Sequence, residues 1–284
     1  MPEGPECTRT ARQVNRTVFG KELSNINIIS GRYTKTEPAG FSKLISLLQN
    51  NCIKINKVDN KGKFIYWDLG DVFIFTTLGM TGNFKLQPSN HSRLAFYFTD
   101  DSAIYYNDQR NFGTIKVVFS RSELEAKLNT IGPDMLNNPP TISTFIEIAR
   151  KKPKWTLVKW LMEQSQISGV GNIYKSESLF LAKLRPDRVI SECSDEQLTD
   201  LYYAVCSVLK TSYESGGSTI RSYSDLFNNE GKYTRFASNP KEMLEARKNR
   251  VLVYNQKMDI YGNPIHKVKL NDGRTTFWSP EIQK

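Results

Sequence analysis

An α+β architecture in more than one domain is predicted by three observations. Short β-branched and aromatic runs punctuated by turn residues occupy the chain as far as Ser120. Apolar patterns of helical period follow, and a basic, apolar-poor section with hairpin signals closes the sequence. The 284 residues, 39% of them hydrophobic, are enough for about two cores.

The elements can be justified in order. After a Pro/Gly-rich start, Cys7–Phe19 suits a helix. Strand candidates are Ile26–Ile29, Ile53–Val58, Phe64–Leu69, Val72–Thr77, Phe84–Leu86, Arg93–Phe98, Ala103–Tyr106 and Ile115–Phe119, separated by Asp-Asn, Leu-Gly-Asp and Thr-Asp-Asp turns. Phe41–Leu48 puts Phe41, Leu44, Ile45 and Leu48 on one helical face. Together these read as an amino-terminal antiparallel β-sandwich with flanking helices, residues 1–130, closed by a short helix from Ser122. Ile131-Gly132-Pro133 marks the break. Helices are then expected at Ile142–Arg150, Thr156–Gln164, Asn172–Leu181 and Asp195–Tyr213, with breakers at Ser168-Gly169-Val170-Gly171, Arg185-Pro186 and Gly216-Gly217. This gives a helical domain over 131–238. In the last section, 239–284, Lys241–Lys248 reads as helical, and Asn271-Asp272-Gly273 separates Lys267–Leu270 from Arg274–Trp278 as a β-hairpin. That section holds too little apolar material to fold alone and is expected to lean on the helices.

Lysine and arginine number 39 against 29 acidic residues, a formal charge of +10. That surplus calls for a polyanion; DNA, RNA, an anionic membrane or an acidic protein would each satisfy it. No run approaches the ~18 apolar residues of a membrane span. The opening residues lack the basic and apolar regions of a secretory signal. Cys7, Cys52, Cys193 and Cys206 form no CxxC pair, which points to reduced thiols and an intracellular setting. With His91 and His266 far apart and no cysteine after Cys206, no local zinc-ligand cluster exists.

Pro2-Glu3 alone reads as a loose terminus. Removal of Met1 changes its chemistry. Pro2 then presents a secondary amine able to attack a sugar C1′, and Glu3 a carboxylic acid beside it to protonate the ring oxygen. The resulting iminium acidifies the C2′ proton and permits elimination of phosphate.

Taken in order along nearly the whole chain, several motifs carry a resemblance. They are Pro2-Glu3-Gly4-Pro5-Glu6, Gly62-Lys63, Leu78-Gly79-Met80-Thr81-Gly82, Asp108-Gln109-Arg110-Asn111-Phe112-Gly113, Gly169 through Glu177, Gly216-Gly217-Ser218-Thr219 and Gly273-Arg274-Thr275-Thr276-Phe277. The sequence resembles the formamidopyrimidine-DNA glycosylase and endonuclease VIII family. The resemblance implies that Pro2 forms the Schiff base, Glu3 is the acid, Glu6 supports the catalytic site and Lys63 contacts a phosphate near the lesion. It implies that Met80 fills the gap left by an extruded nucleotide, with Arg110 facing the orphaned base and Phe112 wedging the stack. Asn111 stands where the family commonly has a second arginine. Residues 131–238 would be a helix-two-turn-helix DNA-binding domain, in which Asn172 caps a helix and meets the lesion phosphate. Lys154 and Lys159 would be supporting phosphate contacts. A cleft between the first two domains would accept a flipped base.

The carboxy-terminal section departs from the family. Its usual finger holds zinc with four cysteines; here Met258, Tyr261 and Ser279 stand near those places and no cysteine is present. The hairpin pattern persists, so a zincless β-hairpin finger is expected, with Arg274 as its phosphate-binding residue. The implied activity is a bifunctional DNA glycosylase/AP lyase for oxidised pyrimidines and ring-opened purines, ending in β,δ-elimination, with no metal or organic cofactor. An 8-oxoguanine-preferring enzyme and a non-enzymatic damage-binding protein are the alternatives. The expected partner is damaged double-stranded DNA, with single-stranded or bubble DNA as further ligands, bound by a monomer and at no membrane. Localisation is expected to be with genomic DNA: nuclear in a eukaryote, otherwise cytoplasmic, nucleoid or virus-associated. The Thr219–Phe236 stretch suits part of a base pocket or its lid.

Overall fold

The computed structural model describes residues 2–218, 224–231 and 251–284; Met1, Lys241–Lys248 and all of Thr219–Phe236 except 224–231 lie outside them. Two compact units emerge: Met1–Thr130 with Ser218–Gly231, and Ile131–Gly217 with Lys232–Lys284.

The first unit opens with α1 (Gly4–Val18). It starts earlier than the apolar pattern suggested, because Pro5 suits a first helical turn and Glu3 with Glu6 form a reciprocal capping box. β1 (Glu22–Ile28), α2 (Phe41–Asn50), β2 (Ile53–Lys54), β3 (Lys57–Lys61), β4 (Phe64–Asp68), β5 (Phe73–Thr77), β6 (Asn83–Lys85), β7 (Ser92–Phe98), β8 (Ala103–Asn107), β9 (Thr114–Val118) and α3 (Arg121–Asn129) follow. The strands form two sheets, in the orders β2-β1-β7-β8-β6 and β3-β4-β5-β9, with every pairing antiparallel. The expected single strand Ile53–Val58 is two. β2 belongs to one sheet and β3 to the other, so the chain crosses between layers at Ile55-Asn56. The alternating run Ile53-Lys54-Ile55-Asn56-Lys57-Val58 contains no Gly or Pro to mark such a crossing.

Aromatic rings fill the space between the sheets. Trp67 of β4 stacks on Phe96 of β7 with centroids 4.9 Å apart, and Phe84 of β6 lies 5.4 Å from Tyr106 of β8. Burying such rings is the main driving force for closing the sandwich.

The second unit contains α4 (Ile142–Arg150), α5 (Leu157–Met162), α6 (Asn172–Leu181), α7 (Asp195–Glu214) and the hairpin β10 (His266–Lys269) with β11 (Thr275–Trp278). Thr141, Thr156 and Ser194 cap α4, α5 and α7 through their hydroxyls, which explains why those starts were legible. Phe145, Trp160 and Tyr202 pack edge to face at 5.0 and 5.3 Å in its core. No described helix is long and apolar enough to cross a membrane.

Candidate active site and nucleic-acid interface

The amino terminus is built into the sandwich. Pro2 is buried and Glu3 is 1% exposed. The Glu3 side chain accepts from the Glu6 backbone N–H, and Glu3 N–H donates to Glu6 Oε2 at 2.8 Å. Glu6, with no exposed surface, accepts a second backbone N–H, from Ser218, at Oε1 (2.7 Å). One buried carboxylate therefore joins the head of α1 to the loop after Gly216-Gly217.

Lys63 lies at the tip of the two-residue turn between β3 and β4, where Lys61 pairs with Phe64. Gly62 has φ +57°, the positive value that such hairpin turns require. Asn60 anchors this tip: its Nδ2 donates to Thr8 Oγ1 of α1 and to Gly62 O, both at 2.9 Å. A second tie joins Val58 N–H to Asn15 Oδ1 at 2.7 Å. The lysine hairpin and the helix headed by Pro2 are thus one piece.

Met80, Arg110 and Phe112 occupy two loops locked together by Asp108. That buried carboxylate accepts from Thr81 Oγ1 at 2.6 Å and from Gly113 N–H at 2.7 Å, while Arg110 N–H donates to Thr81 Oγ1 at 3.0 Å. Arg93 donates from Nε to Asp108 O at 2.7 Å. Gly79 makes the close approach possible: a Cβ there would stand 2.6 Å from Phe112 C. Phe112 is 54% exposed, with the Arg110 guanidinium 4.7 Å from its ring centroid. Asn111 sits between them at φ +56°, a conformation asparagine adopts more readily than arginine.

The 224–231 segment is held on α1. Asp225 accepts from Arg9, from Gln13 Nε2 at 2.8 Å and from Asn229. Burial alone would raise this carboxyl, but the hydrogen bonds from Gln13, Asn229 and Arg9 hold it below its ordinary value.

In the second unit Asn172 is not a helix cap. Gly171 occupies the cap, with extended backbone, and Asn172 is the first helical residue. Its Nδ2 donates to Thr275 O of β11 at 3.0 Å, so the side chain is turned toward the hairpin instead of its own helix. Arg274 is exposed at the hairpin turn beside Gly273, whose φ is +70°. Lys154 and Lys159 are exposed, and Lys159 Nζ stands 4.3 Å from the Trp155 ring centroid. That cation–π contact holds the lysine without removing its charge.

The described residues of the finger do not suit zinc. Met258, Tyr261 and Ser279 are not a donor set, and no described group of three or more His, Cys, Asp or Glu comes together. Asp259 organises the same region by hydrogen bonds, accepting from Tyr261 N–H, Asn263 N–H, Asn263 Nδ2 and Ser279 Oγ at 2.8–3.0 Å. Burial raises its carboxyl, and these donors outweigh that effect and lower it. Buried Glu177 of α6 likewise accepts backbone N–H groups from Leu252, Val253 and Tyr254, although burial keeps its carboxyl above the ordinary value.

Thr81, Asn60, Asp108, Asp225, Lys175, Glu177 and Asp259 were not singled out from sequence as supports. Only Thr81, Asp108, Lys175 and Glu177 lay within motifs already noted.

A sandwich headed by a buried Pro-Glu sequence, followed in the chain by a helical unit carrying a hairpin, defines the class of DNA glycosylases that also act as lyases. The profile of the formamidopyrimidine-DNA glycosylase N-terminal domain matches residues 1–115, and that of its H2TH domain matches 131–224. The formamidopyrimidine-DNA glycosylase of Listeria monocytogenes is 30% identical over 294 aligned positions, spanning all of both chains. That of Mycoplasma mobile is 31% identical over 291, covering 100% of this chain and 99% of its own. A Lactococcus lactis enzyme solved with Fapy-dG DNA superposes with TM-score 0.82 at 26% identity, over 100% of each chain. MutM (Fpg) from Thermus thermophilus gives 0.81 at 28% identity, covering 99% of this chain and 98% of its own. The chain belongs to the formamidopyrimidine-DNA glycosylase family.

Proposed function

We propose that this protein is a bifunctional DNA glycosylase/AP lyase of base excision repair, taking ring-opened purines and oxidised pyrimidines from damaged double-stranded DNA. The observation that carries the reading is the buried head of α1: Pro2 and Glu3 are both buried, and Glu6 bridges Glu3 to Ser218. Once Met1 is removed, the Pro2 nitrogen attacks C1′, the base departs and Glu3 protonates the ring oxygen. Loss of the C2′ proton from the iminium expels the 3′ phosphate, and a second elimination expels the 5′ phosphate. Lys63 and Arg274 are the cations for the phosphates, and Asn172 supplies an amide donor. Met80, Arg110 and Phe112 take the space of the extruded nucleotide. Lys154 and Lys159 add electrostatic attraction to the backbone. Solved Lactococcus lactis relatives hold Fapy-dG DNA and abasic-site DNA, which supports both halves of the reaction.

Borohydride trapping in chelator, on duplexes carrying a formamidopyrimidine, thymine glycol or 8-oxoguanine, tests this reading. A Pro2 adduct with the first two, faster than with 8-oxoguanine, is the expected result. Faster reaction with 8-oxoguanine would reverse the lesion preference. Tight binding with no adduct on any lesion or on abasic DNA would leave a binding protein.

Phe112 offers a narrower check. Its ring is exposed, so Phe112→Ala should move the melting temperature by less than about 2 °C. Lesion-duplex affinity should nevertheless fall about tenfold, the scale of one lost base–aromatic contact. Equal affinity in a fluorescence-anisotropy titration would remove Phe112 from the wedge.

A further inference from the structure

Helix α6 and the finger turn are joined by polar side chains. Lys175 and Asp272 form an ion pair whose side chains are 0% and 1% exposed. One turn away along the helix, Asn172 holds Thr275 O, and Thr156 Oγ1 donates to Asn271 Oδ1 at 2.6 Å. Asp272 has a second bond: its Oδ1 accepts from Arg274 N–H at 3.1 Å. A single carboxylate thus links the backbone of Arg274 to a lysine on the helix that begins with Asn172.

Stability does not explain this choice. Desolvating a lysine and an aspartate consumes most of their attraction, and apolar side chains of the same shape would hold the two elements equally well. What the pair adds is direction, since a charged hydrogen bond tolerates little change in distance or angle. Such a constraint is useful where two groups on different elements must reach one target.

We propose that Lys175 and Asp272 are positioning residues, which hold Arg274 and Asn172 in the single register needed to grip one DNA phosphate. The inference rests on the reading of Arg274 and Asn172 as phosphate ligands. The pair fixes the finger turn itself. Glu177 holds the backbone of Leu252–Tyr254, and Asp259 that of Tyr261 and Asn263.

The test uses the full chain and a duplex containing a tetrahydrofuran abasic analogue, with Kd measured across a salt series. Three variants are compared: Arg274→Ala, the double variant Lys175→Met with Asp272→Asn, and the two combined. The double variant removes both charges with little change in shape, and thermal melts establish that it folds. Should it melt below the assay temperature, Asp272→Asn alone, which keeps an acceptor for Arg274 N–H, replaces it in the comparison. Arg274→Ala and the double variant should each raise Kd about tenfold and flatten the salt dependence by about one phosphate contact. The combined variant should bind no worse than Arg274→Ala, because both changes remove the same contact. Wild-type affinity and salt slope in the folded double variant would overturn the proposal, as would losses that multiply in the combination. No effect from Arg274→Ala would overturn the phosphate reading together with this inference, whereas an effect there without one in the double variant sinks the inference alone.

Discussion

Replacing Glu3 by glutamine should slow base excision by roughly 10³-fold while leaving much of the reaction with a pre-formed abasic site. The separation follows from what the acid is needed for. An intact nucleoside must have its ring oxygen protonated as the sugar opens. An abasic sugar already equilibrates with its open aldehyde, which Pro2 can attack unaided. Glutamine keeps an oxygen to accept the Glu6 backbone N–H, so the cap of α1 survives and the loss can be assigned to the proton. Single-turnover rates on a formamidopyrimidine duplex and on abasic DNA provide the comparison. Equal losses on both would mean that Glu3 serves the fold or the lyase step instead.

The second large effect is expected at Glu6. Its two oxygens receive backbone N–H groups from Glu3 and Ser218 in a site without solvent. Glu6→Ala strands both donors, at a cost of about 2–4 kcal/mol in the first unit. Excision should fall by about 10²-fold even at temperatures where the protein stays folded, because Pro2 and Glu3 lose the brace that sets their position. Urea denaturation and single-turnover excision measure the two effects separately. A destabilised variant with an unchanged rate would make Glu6 a purely structural residue.

Much of this organisation was legible in the sequence because it is local. Ile142–Arg150 and Asn172–Leu181 are helices over the expected residues, since their starts follow Thr141 and a glycine turn. The hairpin around Asn271-Asp272-Gly273 likewise follows from its turn residues, with β10 one position earlier than expected and β11 starting one residue later. The catalytic candidates were legible through their motifs. The long-range ties carry no local mark. Asp225 meets Gln13 across 212 residues, Lys175 meets Asp272 across 97, and Asn60 meets Thr8 across 52. A polar residue that will be buried against a distant partner looks, in sequence, like any residue in a solvated turn. Asn172 shows the same limit: its type suits a cap, and only the proximity of Thr275 explains why its side chain turns away.

The finger without thiols has a chemical consequence. Oxidants that damage bases also convert cysteine thiolates to sulfenic and higher acids, and a four-cysteine metal site offers them four targets. From Val251 onward this chain contains a single sulfur atom, that of Met258, which is 53% exposed. Methionine sulfoxide formation there is reversible and leaves Asp259, Ser279 and the Lys175–Asp272 pair chemically intact. A finger of this composition therefore offers peroxide no metal-bound thiolate to oxidise.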